Sequence, residues 1–137
     1  MANRIRLINP PALETPPGYS HVVEVQSGPL VFIAGQAATD RDGNIVGAGD
    51  FTAQAEQAFR NLGTALASVG CTARHLIKLT VFLRDMDRLA DYRTARNRFF
   101  ATVTPPAAPA ITLIEVSKLV AAELLIEIEA FAAPDAQ

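Results

Sequence analysis

The 137-residue chain has no tryptophan, one cysteine and two histidines. A single cysteine, Cys71, excludes an internal disulfide and suits a reducing compartment; we expect the cytoplasm. No Cys/His cluster has the spacing of a metal site. An excess of either charge is also missing. Twelve Lys and Arg face 14 Asp and Glu, a net charge of −2, with no basic stripe, so no nucleic-acid partner is expected. No apolar run approaches the roughly 20 residues of a membrane helix, and the opening Met1-Ala2-Asn3-Arg4-Ile5 carries no signal core. Phosphate-binding, nucleophile-elbow, zinc-protease and dinucleotide motifs are all missing. Catalytic candidates are therefore scattered single residues.

What is present is a globular composition, 50% hydrophobic and 19% charged, which points to one domain over residues 1–137. Pro10 to Gly18 and Thr104 to Pro109 read as loops. Arg4–Ile8 reads as a short edge strand. Ser20–Gln26 reads as a strand and Leu30–Ala34 as its hairpin partner across Ser27-Gly28-Pro29. Asp40–Asn44 is a turn and Ile45-Val46 a strand end. Asp50 caps a helix whose stripe is Phe51, Ala55, Phe59, Leu62, Leu66 and Val69, stopped by Gly70. Gly63, in its middle, reads as a point of close packing on a sheet. Leu76–Leu83 is the clearest strand. A second helix, capped by Asp85 or Asp87, runs to about Phe100 with Leu89, Tyr92 and Phe99 inward and Arg88, Arg93 and Arg98 outward. Ala110–Val116 and Leu124–Ala132 are strands. The order β-β-β-α-β-α-β-β is an α+β class with a mixed or antiparallel sheet.

Two helices cover only one face of such a sheet. In the last strand Leu124, Ile126, Ile128 and Ala130 share one face, and Leu125, Glu127, Glu129 and Phe131 the other. Ile77, Leu79, Val81 and Leu83 oppose Lys78, Thr80 and Phe82 in the same way. An uncovered face that mixes Leu and Phe with carboxylates points to contact between copies; the alternative is an ordinary half-solvated sheet.

Glu127 and Glu129 are carboxylates on an apolar strand, suited to general acid–base work or to a solvated polar row. Glu115 is a third acid of the same kind. His21 begins a strand, where an imidazole can shuttle protons; His75 reads as exposed. Cys71 reads as packing, without an activating base. Gly35-Gln36 ends a strand where a ligand can approach the backbone.

In order and spacing these residues resemble the RidA/YjgF family, also called L-PSP endoribonuclease-like. The matching stretches are Pro17-Gly18-Tyr19-Ser20, Val31 to Gln36, Gly49 to Ala55, Val69-Gly70, Lys78 to Met86, Phe99-Phe100, Ile114-Glu115-Val116 and Ile126 to Ala130. The resemblance implies a chorismate-mutase-like fold with two helices on one face of a mixed sheet. It also implies a homotrimer with a small-molecule ligand in three clefts between subunits. Deaminases of the family hydrolyse enamines and imines without metal or cofactor, so none is expected here. By resemblance Glu127 positions the hydrolytic water, Tyr19 is the tyrosine of the N-terminal loop and Gly35 lines the cleft. Gln36 adjoins Gly35, and His21 lies two residues from Tyr19 and shares its face.

The departures lie in the strand after Pro109. Ile111 stands where the deaminases carry the arginine that clamps a substrate carboxylate, and Leu113 where a cysteine is common. Arg93 stands where asparagine is frequent. Losing a bidentate clamp removes about 1.5–3 kcal/mol of charged hydrogen bonding. The expected cleft is therefore more apolar, with a neutral or aromatic ligand; tighter binding of small anions than of neutral isosteres would contradict this. The implied function is a cofactor-free imine or enamine hydrolase. The alternatives are a non-catalytic metabolite-binding trimer and, against the charge balance, an endoribonuclease.

Overall fold

Asp50 starts the first helix by accepting the Ala53 N–H at 3.1 Å. From there Phe51, Ala55, Ala58, Phe59, Leu62 and Leu66 recur on one stripe, all buried, over helix α1 (Phe51–Ala67). The computed structural model describes residues 4–135. Met1–Asn3, part of the stretch expected to lack a signal core, and the last two residues of the expected 1–137 domain lie outside it.

Strands β1 (Ile5–Ile8), β2 (Val22–Val25) and β3 (Val31–Ala37) precede α1. Strand β4 (Leu76–Leu83), helix α2 (Leu89–Phe100), β5 (Ala110–Glu115) and β6 (Ile126–Ala132) follow. The main sheet has the order β3-β6-β4-β5, with β4 and β5 parallel and the other pairs antiparallel. Helices α1 and α2 pack on one face, as expected. Leu79, Val81 and Leu83 from β4 and Ile126, Ile128 and Ala130 from β6 are almost completely buried beneath them. Shortening one of these leucines to alanine costs about 2–5 kcal/mol.

Several expectations are corrected. β2 and β3 are not hairpin partners: β2 pairs with β1 in a separate two-stranded sheet, while β3 pairs with β6. The Arg4 guanidinium occupies the connection between them, donating to the carbonyls of Ser27, at 2.6 Å, and Pro29, at 3.1 Å, and to that of Pro134. A register shift between Leu76 and Lys78 takes Ile77 off the core face, where Leu76 sits instead. Val69 is 41% exposed, past the end of the stripe. Gly63 faces the other helix rather than a sheet, since a Cβ there would lie 3.4 Å from the Phe99 ring. Asp85 caps a 3-10 turn over Met86–Arg88 that leads into α2. Among the described residues no helix is long and apolar enough to cross a membrane.

Candidate functional site

The sheet face opposite the helices carries the first group of candidates. Ile33 pairs with Ala130 and Gln36 with Ile128, so the register shifts between Ile33 and Gln36 and leaves a bulge at Ala34-Gly35. The Glu127 side chain lies over this bulge. A Cβ on residue 35 would meet Glu127 Oε2 at 2.2 Å, Cδ at 2.8 Å and Cγ at 2.9 Å, so only glycine leaves the carboxylate where it is. Gln36 turns its amide back to the Ala34 carbonyl at 3.0 Å. Buried Gln54 of α1 fixes the approach to β6. Its amide donates to the carbonyls of Gly47, at 3.2 Å, and Glu123, at 2.8 Å, and accepts the Leu125 N–H at 2.8 Å.

The same face carries a polar row and an aromatic pair. Lys78 Nζ donates to Thr112 Oγ1 at 2.5 Å. Burial pulls its ammonium below the usual lysine range, with the Glu129 charge acting against it. The rings of Phe32 and Phe131 lie 4.9 Å apart, and Phe32 is 72% exposed. The uncovered face is thus as mixed as its sequence implied.

The second group gathers at the other edge of the sheet, on the helix side. Ile111 and Leu113 pair with the core-facing Leu79 and Val81, so they look toward α2. With Pro17, Tyr19, Tyr92, Arg93 and Arg96 they line a cavity of about 200 Å³. The loop bearing Tyr19 is locked beside β5, because Ser20 donates its hydroxyl to the Ala108 carbonyl at 2.6 Å and its N–H to the Pro109 carbonyl at 3.0 Å. Below the loop Arg96 Nη2 donates to the Pro17 carbonyl at 3.3 Å. Gly18 has φ +85°, and a Cβ there would stand 2.5 Å from that nitrogen, so the turn needs glycine on both counts. His21 does not line the cavity: its Nε2 lies 2.7 Å from the Glu14 carbonyl and its ring meets Tyr19 edge-on at 5.7 Å. It steadies the tyrosine from behind.

Tyr19, Arg93, Ile111 and Leu113 are therefore together, while Gly35, Gln36 and Glu127 stand apart from them. β3 and β5 are the two edges of the sheet, three strand spacings or about 14 Å apart, and the groups lie on opposite faces. Other candidates are occupied elsewhere. Glu115 accepts the Met86 N–H at 2.9 Å. His75 is buried, not exposed as its loop position suggested: Nδ1 accepts the Thr72 N–H at 2.9 Å and Nε2 lies 3.2 Å from Asp135. Cys71 is buried, which pushes its thiol up. Among the described residues no three His, Cys, Asp or Glu side chains are grouped to hold a metal ion. Sequence reasoning missed Arg96, which is 6% exposed. Its signal was an arginine four residues after Tyr92, on the stripe assigned to the core.

Comparison with known proteins follows the same lines. The family model for Endoribonuclease L-PSP matches residues 10–134. A RutC family protein of Synechocystis is 36% identical over 104 residues, 75% of this chain and 77% of that protein. The mouse 2-iminobutanoate/2-iminopropanoate deaminase is 32% identical over 114 residues, 83% of this chain and 79% of that protein. A solved structure of the Rid-family protein YyfB of Yersinia pestis superposes with a TM-score of 0.85 at 33% identity, covering 96% of this chain and all of that one.

Proposed function

The chain belongs to the endoribonuclease L-PSP family, the RidA/YjgF proteins, and from that premise we propose that it is a cofactor-free hydrolase of imines or enamines. The observation that carries this reading is the Glu127 carboxylate, half-buried and held over a bulge that has no side chain at Gly35. In the proposed reaction water adds to the C=N carbon while Glu127 takes its proton. That proton passes to nitrogen to give a carbinolamine; Glu127 then takes the hydroxyl proton and returns it to the amine, so that the C–N bond breaks, ammonia leaves and the C=O bond forms. The backbone at Gly35 and the Tyr19 hydroxyl stabilise polar groups along the way. Similarity to the mouse deaminase supports the reaction class.

The two groups of residues face apart in one chain, so the working cleft is proposed to form between copies. One copy supplies Gly35 and Glu127, and its neighbour supplies Tyr19, Ile111 and Leu113. The uncovered sheet face, with Phe32 and Phe131 exposed, supports a cyclic trimer. Ile111 and Leu113 suit a substrate with an apolar or aromatic group. A cofactor-free reaction and a single thiol suit the cytoplasm.

The test is an imine-hydrolysis assay. An amino-acid oxidase generates imines from a panel of amino acids, and semicarbazide traps what is not hydrolysed. Faster release of ketoacid with the wild type, lost in Glu127→Gln, is the expected result. Ile111, at the position of the deaminase arginine, favours a second reading, a metabolite-binding trimer without turnover. No acceleration for any imine, together with gain of activity on 2-aminoacrylate in Ile111→Arg, would support it.

A further inference from the structure

Tyr19 reaches the cavity beside β5 on a loop with little means of holding itself. Pro16 and Pro17 have no N–H to donate, so the backbone just before Tyr19 can be hydrogen-bonded there only through its carbonyls. Gly18 turns back on one of them, its N–H donating to the Pro16 carbonyl at 3.1 Å. The other, on Pro17, accepts from Arg96 Nη2 at 3.3 Å. Arg96 rises nearly buried from α2. Its Nε and Nη2 also donate to Asn97 Oδ1, at 3.1 and 3.0 Å. Its guanidinium carbon lies 5.7 Å from the centre of the Tyr92 ring and 5.9 Å from that of Phe100. Burial pushes the Tyr92 phenol up to about 12 against the pull of Arg96, so it stays a neutral neighbour. The guanidinium is thus a fixed plate, and Gly18 crosses directly on it: a Cβ there would stand 2.5 Å from Nη2 and 3.2 Å from Cζ. Beyond Tyr19 the chain is tied by Ser20, whose hydroxyl and N–H donate to the carbonyls of Ala108 and Pro109. Tyr19 therefore hangs between two anchors, one beside β5 and one on α2.

We propose that Arg96 is the positioning residue of the Tyr19 loop: its hydrogen bond to the Pro17 carbonyl seats the Pro17-Gly18 turn on α2 and so sets where the Tyr19 hydroxyl stands in the cavity. Arg96 acts through Tyr19 and not on the reacting atoms. Its catalytic consequence rests on the hydrolase reading above; the seating of the loop does not. With Ser20 alone the loop swings about its downstream anchor. A displacement of about 1 Å costs about 100-fold for an essential group, and less for one that assists Glu127. A buried arginine that only fills space would act otherwise. Its loss would lower stability and show no dependence on the Tyr19 hydroxyl.

The chain has two tyrosines and no tryptophan, so in full-length Tyr92→Phe the tyrosine emission comes from Tyr19 alone. In that background Arg96→Met keeps an unbranched stem and removes the donors. Acrylamide quenching of Tyr19 should then rise about twofold as the loop lifts. Gly18→Ala should do the same from the other side, by pushing the turn off the guanidinium, and it leaves the core untouched. In the otherwise wild-type chain, Arg96→Met and Tyr19→Phe should each lower kcat for imine hydrolysis about tenfold at nearly constant KM, and the double variant should be no worse than Tyr19→Phe. Unchanged quenching in folded Arg96→Met overturns the seating; if that variant does not fold, unchanged quenching in Gly18→Ala does so. Full activity in Arg96→Met, a loss confined to KM, or the same loss with and without the Tyr19 hydroxyl overturns the positioning role. No turnover by the wild type sinks the hydrolase instead, and the quenching then decides the seating by itself.

Discussion

Replacing Gly35 with alanine tests how the carboxylate is held. The added methyl carbon would stand 2.2 Å from Glu127 Oε2, 2.8 Å from Cδ and 2.9 Å from Cγ. Ordinary contacts begin near 3.4 Å, so the carboxylate must retreat by about 1 Å, and a shift of that size in a catalytic group typically costs about 100-fold. Gly35 has no positive φ, so the backbone accepts alanine and the thermal midpoint should stay close to that of the wild type. The assay is ketoacid release in the oxidase-coupled system. We predict that Gly35→Ala loses about 100-fold in kcat/KM, and that adding it to Glu127→Gln changes nothing further, since the group it displaces is already disabled. Full activity in Gly35→Ala, or a further large loss in the double variant, would refute the reasoning.

Three further predictions concern the scaffold. Gln54→Ala removes the buried amide that makes three part-buried hydrogen bonds to the backbone of Gly47, Glu123 and Leu125; it should cost about 2–4 kcal/mol in urea unfolding. Asp135 is held below the usual carboxylate value of 3.8 by hydrogen bonds from His75 and then Arg74. Because its folded pKa is depressed, its contribution is complete above 3.8 and is lost as pH falls below it. The Tm difference between wild type and Asp135→Asn should therefore be present at pH 7 and close in strong acid. The Cys71 thiol, raised by burial, should resist a disulfide reagent at neutral pH until the protein is unfolded.

Elements defined by periodicity were legible. The Phe51–Leu66 stripe gave α1, and the alternation in Leu76–Leu83 and Ile126–Ala132 gave the two central strands and their buried faces. Pairing was less so. Ser27-Gly28-Pro29 looks like a hairpin turn, but it is the long-range insertion of Arg4 that separates β2 from β3. Short-range patterns do not report contacts 25 residues apart. The site was legible as a set of residues and not as an arrangement. Glu127, Gly35 and Tyr19 could be picked out, but only the strand order places β3 and β5 at opposite edges. Arg96 and Gln54 escaped because a polar residue on an apolar stripe reads as a break in the pattern, whereas here each is buried for its hydrogen bonds.

The central claim, a cleft shared by two copies and worked by Glu127, is tested most directly by subunit complementation. Glu127→Gln and Tyr19→Ala, each inactive alone, are co-expressed and the mixed assemblies purified. If one copy supplies the glutamate and its neighbour the tyrosine, random mixing leaves about a quarter of the clefts intact, and about a quarter of wild-type imine hydrolysis should return. If both residues act within one chain, no cleft is restored, and mixed assemblies as inactive as the parents would contradict the account.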